Sequence, residues 1–308
     1  MTLGSEKKCQ AYLLAFCLFA GLLDSMPGIS LVVCVSKEQD LLKRLLRDTA
    51  DCYDDLVVVH DGPEAIDQDT RVDQLVAEYG GRFFVRPRSF QQESHWPFAW
   101  KQARNAWILR LDADEVPSTE LKNWLQAFCA RPEPDKSTAG YTCIWPLWDG
   151  QRTVTKYWPN GRIFLFHKDR VRFFGMAEQV PIPDGKFEAL QLILEHRPTR
   201  KSFGFSNLLL RKQAYHWRRV IAQSLLGKPT DLQCWRWTSE QWPEIWEEIR
   251  QRPFRTAFYR LMMWPLFNMR QMKRVEGRVI LSAIAFTGIH HCLVALMYWY
   301  LRLSRSNT

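Results

Sequence analysis

Between Ile29 and Asp112 the hydrophobic pattern switches repeatedly between strand-like and helix-like spacing, and this alternation restricts the chain to few folds. Ile29 to Val35 is a continuous apolar run, as expected for a strand buried on both faces. Lys37 to Asp48 carries Leu41, Leu42, Leu45 and Leu46 at helical spacing. Leu56 to Val59 predicts a second strand, closed by the loop signal His60-Asp61-Gly62-Pro63. Val72 to Tyr79 then predicts a helix, Arg82 to Val85 a third strand, Ala99 to Ala106 a helix, and Trp107 to Leu111 a fourth strand running into Asp112. Such alternation predicts an α/β fold with a parallel, doubly wound sheet. Ligands of such sheets bind beyond the carboxyl ends of the strands, where Ser36, His60, Asp61 and Asp112 fall.

Farther on, a helix from Ser118 to about Ala130 and a Pro-rich link precede a hairpin of Tyr141 to Trp148 and Thr153 to Trp158, turning at Asp149-Gly150. Arg162 to His167 and Val171 to Phe174 continue the strand character. From Phe205 the pattern turns helical, which sets a boundary near residue 200 and divides the chain into 1–26, 27–200 and 201–308. The last part contains an uncharged run, Val279 to Leu301, between Arg278 and Arg302. It is long enough to span a bilayer, but His290 and His291 at its centre sit poorly against lipid. An interfacial or partly inserted hairpin, a span and a buried soluble helix all stay open. At the other end, Ala11 to Leu23 has the length of a signal-peptide core. It reads as a cleaved leader, as a weak anchor, or as spurious sequence ahead of a true start at Met26.

The net charge of +9 favours an anionic partner, whether nucleic acid, an anionic membrane face or phosphate-bearing substrates, among which charge alone does not choose; a basic soluble protein with an aromatic core also fits. Fourteen Trp and eighteen Phe favour an anionic membrane surface over nucleic acid, because aromatic rings suit the headgroup boundary. The eight cysteines form no close pair of metal-binding spacing, which argues for a reducing compartment, and Cys34 reads as a core thiol.

Chemistry concentrates in Asp112-Ala113-Asp114-Glu115. Two carboxylates two positions apart after a strand can hold Mg²⁺ or Mn²⁺ against the oxygens of a nucleotide diphosphate. The same triplet can also cap a helix or face water; its place at the end of the fourth strand favours the ligand site.

Here the sequence resembles the family 2 glycosyltransferases of GT-A fold, and among them the lipopolysaccharide core β-glucosyltransferase branch. The matching pieces are Ile29-Ser30-Leu31-Val32-Val33 with Glu38, Val57 to Gly62, Trp107 to Glu115, Arg162 to Phe166, Ala177-Glu178 and Glu195-His196. The resemblance spans roughly Ile29 to Tyr215, and the stretch ending in Asp-Ala-Asp-Glu is its most specific part. It implies a Rossmann-like nucleotide-binding domain with a mixed sheet, followed by a helical, membrane-associating C-terminal region. Glu38 and Asp61 would hold the nucleoside, Asp112 and Arg162 would also bind the donor, and Asp112, Asp114 and His196 would serve the metal. Asp114 and Glu178 would be catalytic, Glu178 as the general base that takes the acceptor hydroxyl's proton. Ala177 stands where the family has His, so Asp184 and Glu115 stay open as alternative bases. His60 replaces the first Asp of the family's pair. Read as residues alone, His196 also fits a backbone-bonded loop, Glu178 a solvated strand end, and Arg162 a partner of a carboxylate.

The expected activity is therefore metal-dependent, inverting transfer of a hexose from a UDP-linked donor to a saccharide or lipid-linked acceptor in cell-envelope glycan synthesis. The expected location is the cytoplasmic face of the inner (plasma) membrane, with the chain peripheral or C-terminally inserted. An inactive membrane-bound GT-A scaffold is one alternative. A nucleotidyltransferase is the other, disfavoured because Val35-Ser36-Lys37-Glu38-Gln39 lacks the glycines of a triphosphate loop.

Overall fold

The computed structural model describes residues 26–36, 38–63, 71–89, 91–146, 148, 161–176, 179–198, 212–227, 234–237, 242–271 and 277–306. The first four strands are β1 (Ile29–Val35), β2 (Asp55–Asp61), β3 (Arg82–Arg86) and β4 (Trp107–Arg110). Helices α1 (Gln39–Thr49), α2 (Val72–Glu78) and α3 (Trp96–Gln102) connect them. β5 (Glu115–Pro117), α4 (Thr119–Cys129), β6 (Thr138–Ile144), β7 (Arg162–His167), β8 (Val171–Arg172), β9 (Ile182–Pro183) and β10 (Lys186–His196) follow. Ser118 starts α4 as its N-cap, accepting the Leu121 amide at 3.2 Å.

Eight strands form one sheet in the order β3-β2-β1-β4-β7-β6-β10-β5. Its first four strands are parallel, as the sequence predicts; β7 is antiparallel to both β4 and β6, and β10 is parallel to β6. The chain moves from β1 outward to β3, then returns to lay β4 on the opposite side of β1. That reversal opens a crevice above the carboxyl ends of β1 and β4. β1 and β2 are buried almost throughout because helices cover both faces. Leu42, Leu46, Val76, Leu125 and Phe128 pack on one side. On the other, Trp100 lies between Phe166, Phe173 and Trp235, with ring centroids 5.0, 5.2 and 5.8 Å away.

Several expectations need correction. The helix before β4 begins at Trp96 and ends at Gln102 rather than running from Ala99 to Ala106. Ala103 is extended, because the amides of Arg104 and Asn105 are taken by the Asp55 carboxylate (2.9 Å) and the Ser30 hydroxyl (3.0 Å) instead of by a helical turn. The turn at 149–150 and the strand at 153–158 lie outside the described residues; the described antiparallel partner of β6 is β7. β10, eleven residues long, was not foreseen as a strand at all.

The C-terminal region comprises α5 (Lys212–Leu225), α6 (Glu244–Gln251), α7 (Pro253–Gln271) and α8 (Gly277–Ser306). It shares a core with the sheet domain, in which Phe174 and Met176 meet Ile221, Trp246, Val294 and Tyr298. Phe173 and Trp235 also exchange backbone hydrogen bonds of 2.9 and 2.8 Å. The apolar run 279–301 lies within α8, and among the described residues no helix is long and apolar enough to cross a membrane. The six described cysteines, Cys34, Cys52, Cys129, Cys143, Cys234 and Cys292, are free thiols.

Asp55 ties the amino ends of the parallel strands together. Its buried carboxylate accepts from Ser30 Oγ at 2.8 Å, from Arg82 Nη2 at 2.7 and 2.9 Å, and from the Arg104 amide. Burial pushes this carboxyl up, but the donors together outweigh burial and hold it below the ordinary carboxylate range. Its contribution is thus present above a pH of about 4 and disappears as pH falls through the lowered folded value. Asp55→Asn should lower stability by about 2–4 kcal/mol at neutral pH. In urea titrations, the gap between the two proteins should close as the acid limb is entered; a gap independent of pH would contradict this role.

Candidate active site

The crevice is lined by Cys34, Val35, Ser36 and Glu38 after β1, by Asp61 ending β2, and by Asp112, Ala113 and Asp114 after β4. Gln91, Gln92, Glu93 and His95 contribute from the segment between β3 and α3, His196 from the end of β10, and Trp217 from α5. Its volume is about 310 Å³. Four of the sequence-predicted residues, Glu38, Asp61, Asp112 and Asp114, therefore share one cleft with His196.

At one end Asp61 is held firmly. Its Oδ1 accepts the Ser89 amide at 2.6 Å and lies 2.9 Å from His95 Nε2. Gly62, at φ 96°, takes the left-handed conformation that turns the chain out of β2, and a Cβ there would meet the Arg88 side chain at 2.9 Å. His60 points away from any nucleoside-binding role: it is fully buried, its Nδ1 3.0 Å from the Gly62 carbonyl oxygen. Near the end of β1, Glu38 accepts the Ser36 amide at 2.7 Å.

The other end is organised around Glu115, which is entirely buried. One of its oxygens accepts the Asp112 amide (2.8 Å), fixing the turn of the acidic triplet. The other accepts Trp145 Nε1–H (2.8 Å). The Arg162 guanidinium lies against both carboxylates, with Nη2 2.6 Å from Asp112 Oδ2 and Nε 2.9 Å from Glu115 Oε1. The antiparallel pairing of β5 with β10 sets His196 opposite Glu115. There its Nε2 reaches Asp114 Oδ2 at 3.1 Å, and its ring stacks on Trp145 at 4.4 Å. Burial raises the Asp114 carboxyl and lowers the His196 imidazole, but their hydrogen bond and mutual attraction outweigh it and favour the charged form of each. Behind them lies a second buried guanidinium, Arg110, donating to the Ile163 carbonyl oxygen at 3.0 Å and stacked 4.2 Å over Trp96. Burial, and then Arg162, push Arg110 down to about 9 against the pull of Asp112, Glu115 and Glu93.

Some expected roles look different in this arrangement. Arg162 is not among the residues lining the cleft; it pairs with Asp112 and Glu115, the carboxylate-partner reading of this residue. Glu115 cannot reach an acceptor from its buried position, and Asp184 pairs with Arg172 and Arg236 away from the cleft. Glu178 and Ala177 lie outside the described residues. Asp112, Asp114 and His196 do not converge on one point, and among the described residues no group of three or more His, Cys, Asp or Glu could by itself hold a metal ion. The donor set still suits an ion that takes most of its oxygens from a ligand, since Mg²⁺ is commonly held by one or two carboxylates plus substrate phosphates. His196 Nδ1, buried and without a hydrogen-bond partner among the described residues, leaves a nitrogen uncommitted beside Asp114.

The cleft residues that sequence reasoning missed are Gln91, Gln92, Glu93, His95 and Trp217. The polar stretch between β3 and α3 was a visible signal for the first four; no local signal marks Trp217, which comes from α5.

No family model matches the chain, and no curated protein matches it in sequence. Among solved structures, it is similar to TarS from S. aureus, at 14% identity and a TM-score of 0.39 over 87% of this chain and 54% of that one, so it spans about half of that structure's length. It is also similar to TarS 1-349 in complex with UDP-GlcNAc (13% identity, TM-score 0.40) and with UDP (13%, 0.37), each over 90% of this chain and 92% of the other. At such identity and superposition the likeness adds nothing to the functional reading, which rests on the cleft.

The geometry separates framework from function. Glu115→Ala should lose about 3–5 kcal/mol, because it strips the Trp145 N–H and the Asp112 amide of their acceptor and leaves the buried Arg162 guanidinium with one of its two carboxylates. Asp114→Asn, at a partly exposed position, should lose less than about 1.5 kcal/mol. Equal losses in urea unfolding would refute this division.

Proposed function

We propose that the chain is an inverting, GT-A-type glycosyltransferase of family 2, moving a hexose from a UDP-linked donor to a saccharide or lipid-linked acceptor in cell-envelope glycan synthesis. One observation carries this reading: a single cleft above the topological switch point has Asp61 and Glu38 at one end and Asp112, Asp114 and His196 at the other. A nucleotide diphosphate suits such a cleft if a divalent cation is shared between its phosphates and Asp112 and Asp114, because its nucleoside offers hydrogen-bond donors to Asp61 and Glu38.

In this proposal Asp61, oriented by Ser89 and His95, and Glu38 accept hydrogen bonds from the nucleoside. Asp112 and Asp114 would hold Mg²⁺ or Mn²⁺ together with the bound donor, and His196 would be a further ligand or would orient Asp114. The ion, when bound, neutralises charge on the departing diphosphate. Arg162 acts by holding Asp112 in place. As the acceptor oxygen bonds to the anomeric carbon and the bond to the diphosphate breaks, Glu178 takes the hydroxyl proton. Attack opposite the leaving group inverts the anomeric centre. The finer assignment, to the lipopolysaccharide core β-glucosyltransferase branch, is supported by the sequence motifs. The proposed location is the cytoplasmic face of the inner membrane, in keeping with the charge of +9 and the wealth of aromatic residues.

Thermal unfolding with UDP, GDP or ADP, each with and without Mn²⁺, tests the reading. At about a hundredfold excess over Kd a ligand of the folded state adds about 2.7 kcal/mol. UDP with Mn²⁺ should protect most, and Asp114→Ala should abolish that protection. Glu178→Gln should keep it while losing UDP release from UDP-sugar. Protection by none of the three would favour the inactive scaffold, and release of UMP in place of UDP would favour nucleotidyl transfer.

A further inference from the structure

Trp217 is the one large apolar side chain among the described residues lining the cleft; the other apolar ones, Cys34, Val35 and Ala113, are small. It comes from α5 rather than from the sheet that carries the acidic residues. Its place follows from helical spacing. Trp217, Ile221 and Leu225 recur every four residues and so share one face of α5. Ile221 and Leu225 are buried in the C-terminal core at 0% and 2% exposure, whereas Trp217, one turn earlier, is only partly buried. It packs against that core and also borders the cleft. The core thus fixes the indole and leaves part of it facing a ligand.

The polar lining narrows what this ring can meet. Gln92 and Glu93 border the same cleft and have no part in holding the nucleoside or the diphosphate in the reading above. Amide and carboxylate groups suit the hydroxyls of a sugar, each of which both donates and accepts. A pyranose ring carries hydroxyls round its rim and C–H groups on its faces, so it fits a cleft that holds one aromatic side chain among such polar groups. A purely apolar ligand would take water from Gln92 and Glu93 and return nothing. A further phosphate would be repelled by the Glu93 carboxylate.

We infer that Trp217 is the platform on which a pyranose ring stacks in this cleft, the ring being the hexose of the donor or the terminal sugar of the acceptor. The inference rests on the glycosyltransferase reading and deepens it, because it gives the C-terminal helices a direct share in sugar binding. α5 then contributes to the choice of substrate as well as to packing.

Two substitutions test this. Trp217→Leu keeps an apolar group on the face shared with Ile221 but removes the flat ring, and Trp217→Phe keeps a ring. Affinities are measured with Mn²⁺ for UDP, UDP-glucose, UDP-galactose and UDP-N-acetylglucosamine, and then for methyl β-glucoside and methyl β-galactoside on the UDP-loaded protein. Trp217→Leu should weaken a UDP-hexose or a methyl glycoside about tenfold and leave UDP itself within about twofold, with Trp217→Phe recovering most of the loss. A loss confined to the UDP-hexoses assigns the ring to the donor, and one confined to the methyl glycosides assigns it to the acceptor. In wild type labelled with 5-fluorotryptophan, the fluorine resonance missing from Trp217→Phe should shift with the sugar ligand more than with UDP, a readout independent of how well Trp217→Leu folds. Equal affinities of wild type and Trp217→Leu for every sugar ligand would overturn the inference. So would an equal loss for UDP, which would put the indole on the uracil base. UDP binding without any sugar effect sinks this inference alone, whereas absence of UDP binding in the wild type sinks the donor-site reading and this one with it.

Discussion

A buried carboxylate needs a partner for each of its lone pairs, and the acidic end of the cleft is arranged around how Glu115 meets that need. Its donors come from three places in the sequence: the Asp112 amide in its own turn, the Trp145 indole beyond β6, and the Arg162 guanidinium at the start of β7. Each donor has a second task. The amide sets the turn that presents Asp112 and Asp114, the indole stacks on His196, and the guanidinium also holds Asp112. A charge that is costly to bury thus fixes several side chains that face ligand, and the cleft's geometry depends on it.

The parallel half of the fold was legible because β1, β2 and β4 are buried on both faces, so their centres read as apolar runs, and α1 between β1 and β2 shows plain amphipathic spacing. Legibility ends where pairing becomes nonlocal. β10 carries Leu190, Leu192 and Leu194 alternating with exposed positions, but it lies between loops and no local signal says that its end will pair with a three-residue strand some eighty residues earlier. That pairing alone brings His196 to Asp114, which the sequence suggested only by resemblance. Likewise, the choice between phosphate and carboxylate as partner of Arg162 depends on the register of β7 beside β4. The helix before β4 was misplaced because its end is decided by Asp55 and Ser30, both distant in sequence.

The C-terminal helices are more than an appendage to the sheet. They bury Phe174 and Met176 at the far end of the sheet domain and send Trp217 into the cleft from α5. His290 and His291, awkward for a lipid-facing span, belong to this packing: His290 is 2% exposed, and His291 lies 5.5 Å from Trp246. Burial lowers the affinity of both rings for a proton, so they enter the core as neutral groups.

The most direct measurement is a crystal structure of the chain with UDP and Mn²⁺. The account predicts the uridine between Asp61 and Glu38, with the diphosphate beside Asp112 and Asp114 and the ion between phosphate and carboxylate oxygens. A diphosphate seated elsewhere, for example in the groove of about 540 Å³ lined by Arg252, Arg255 and Arg260, would contradict the account.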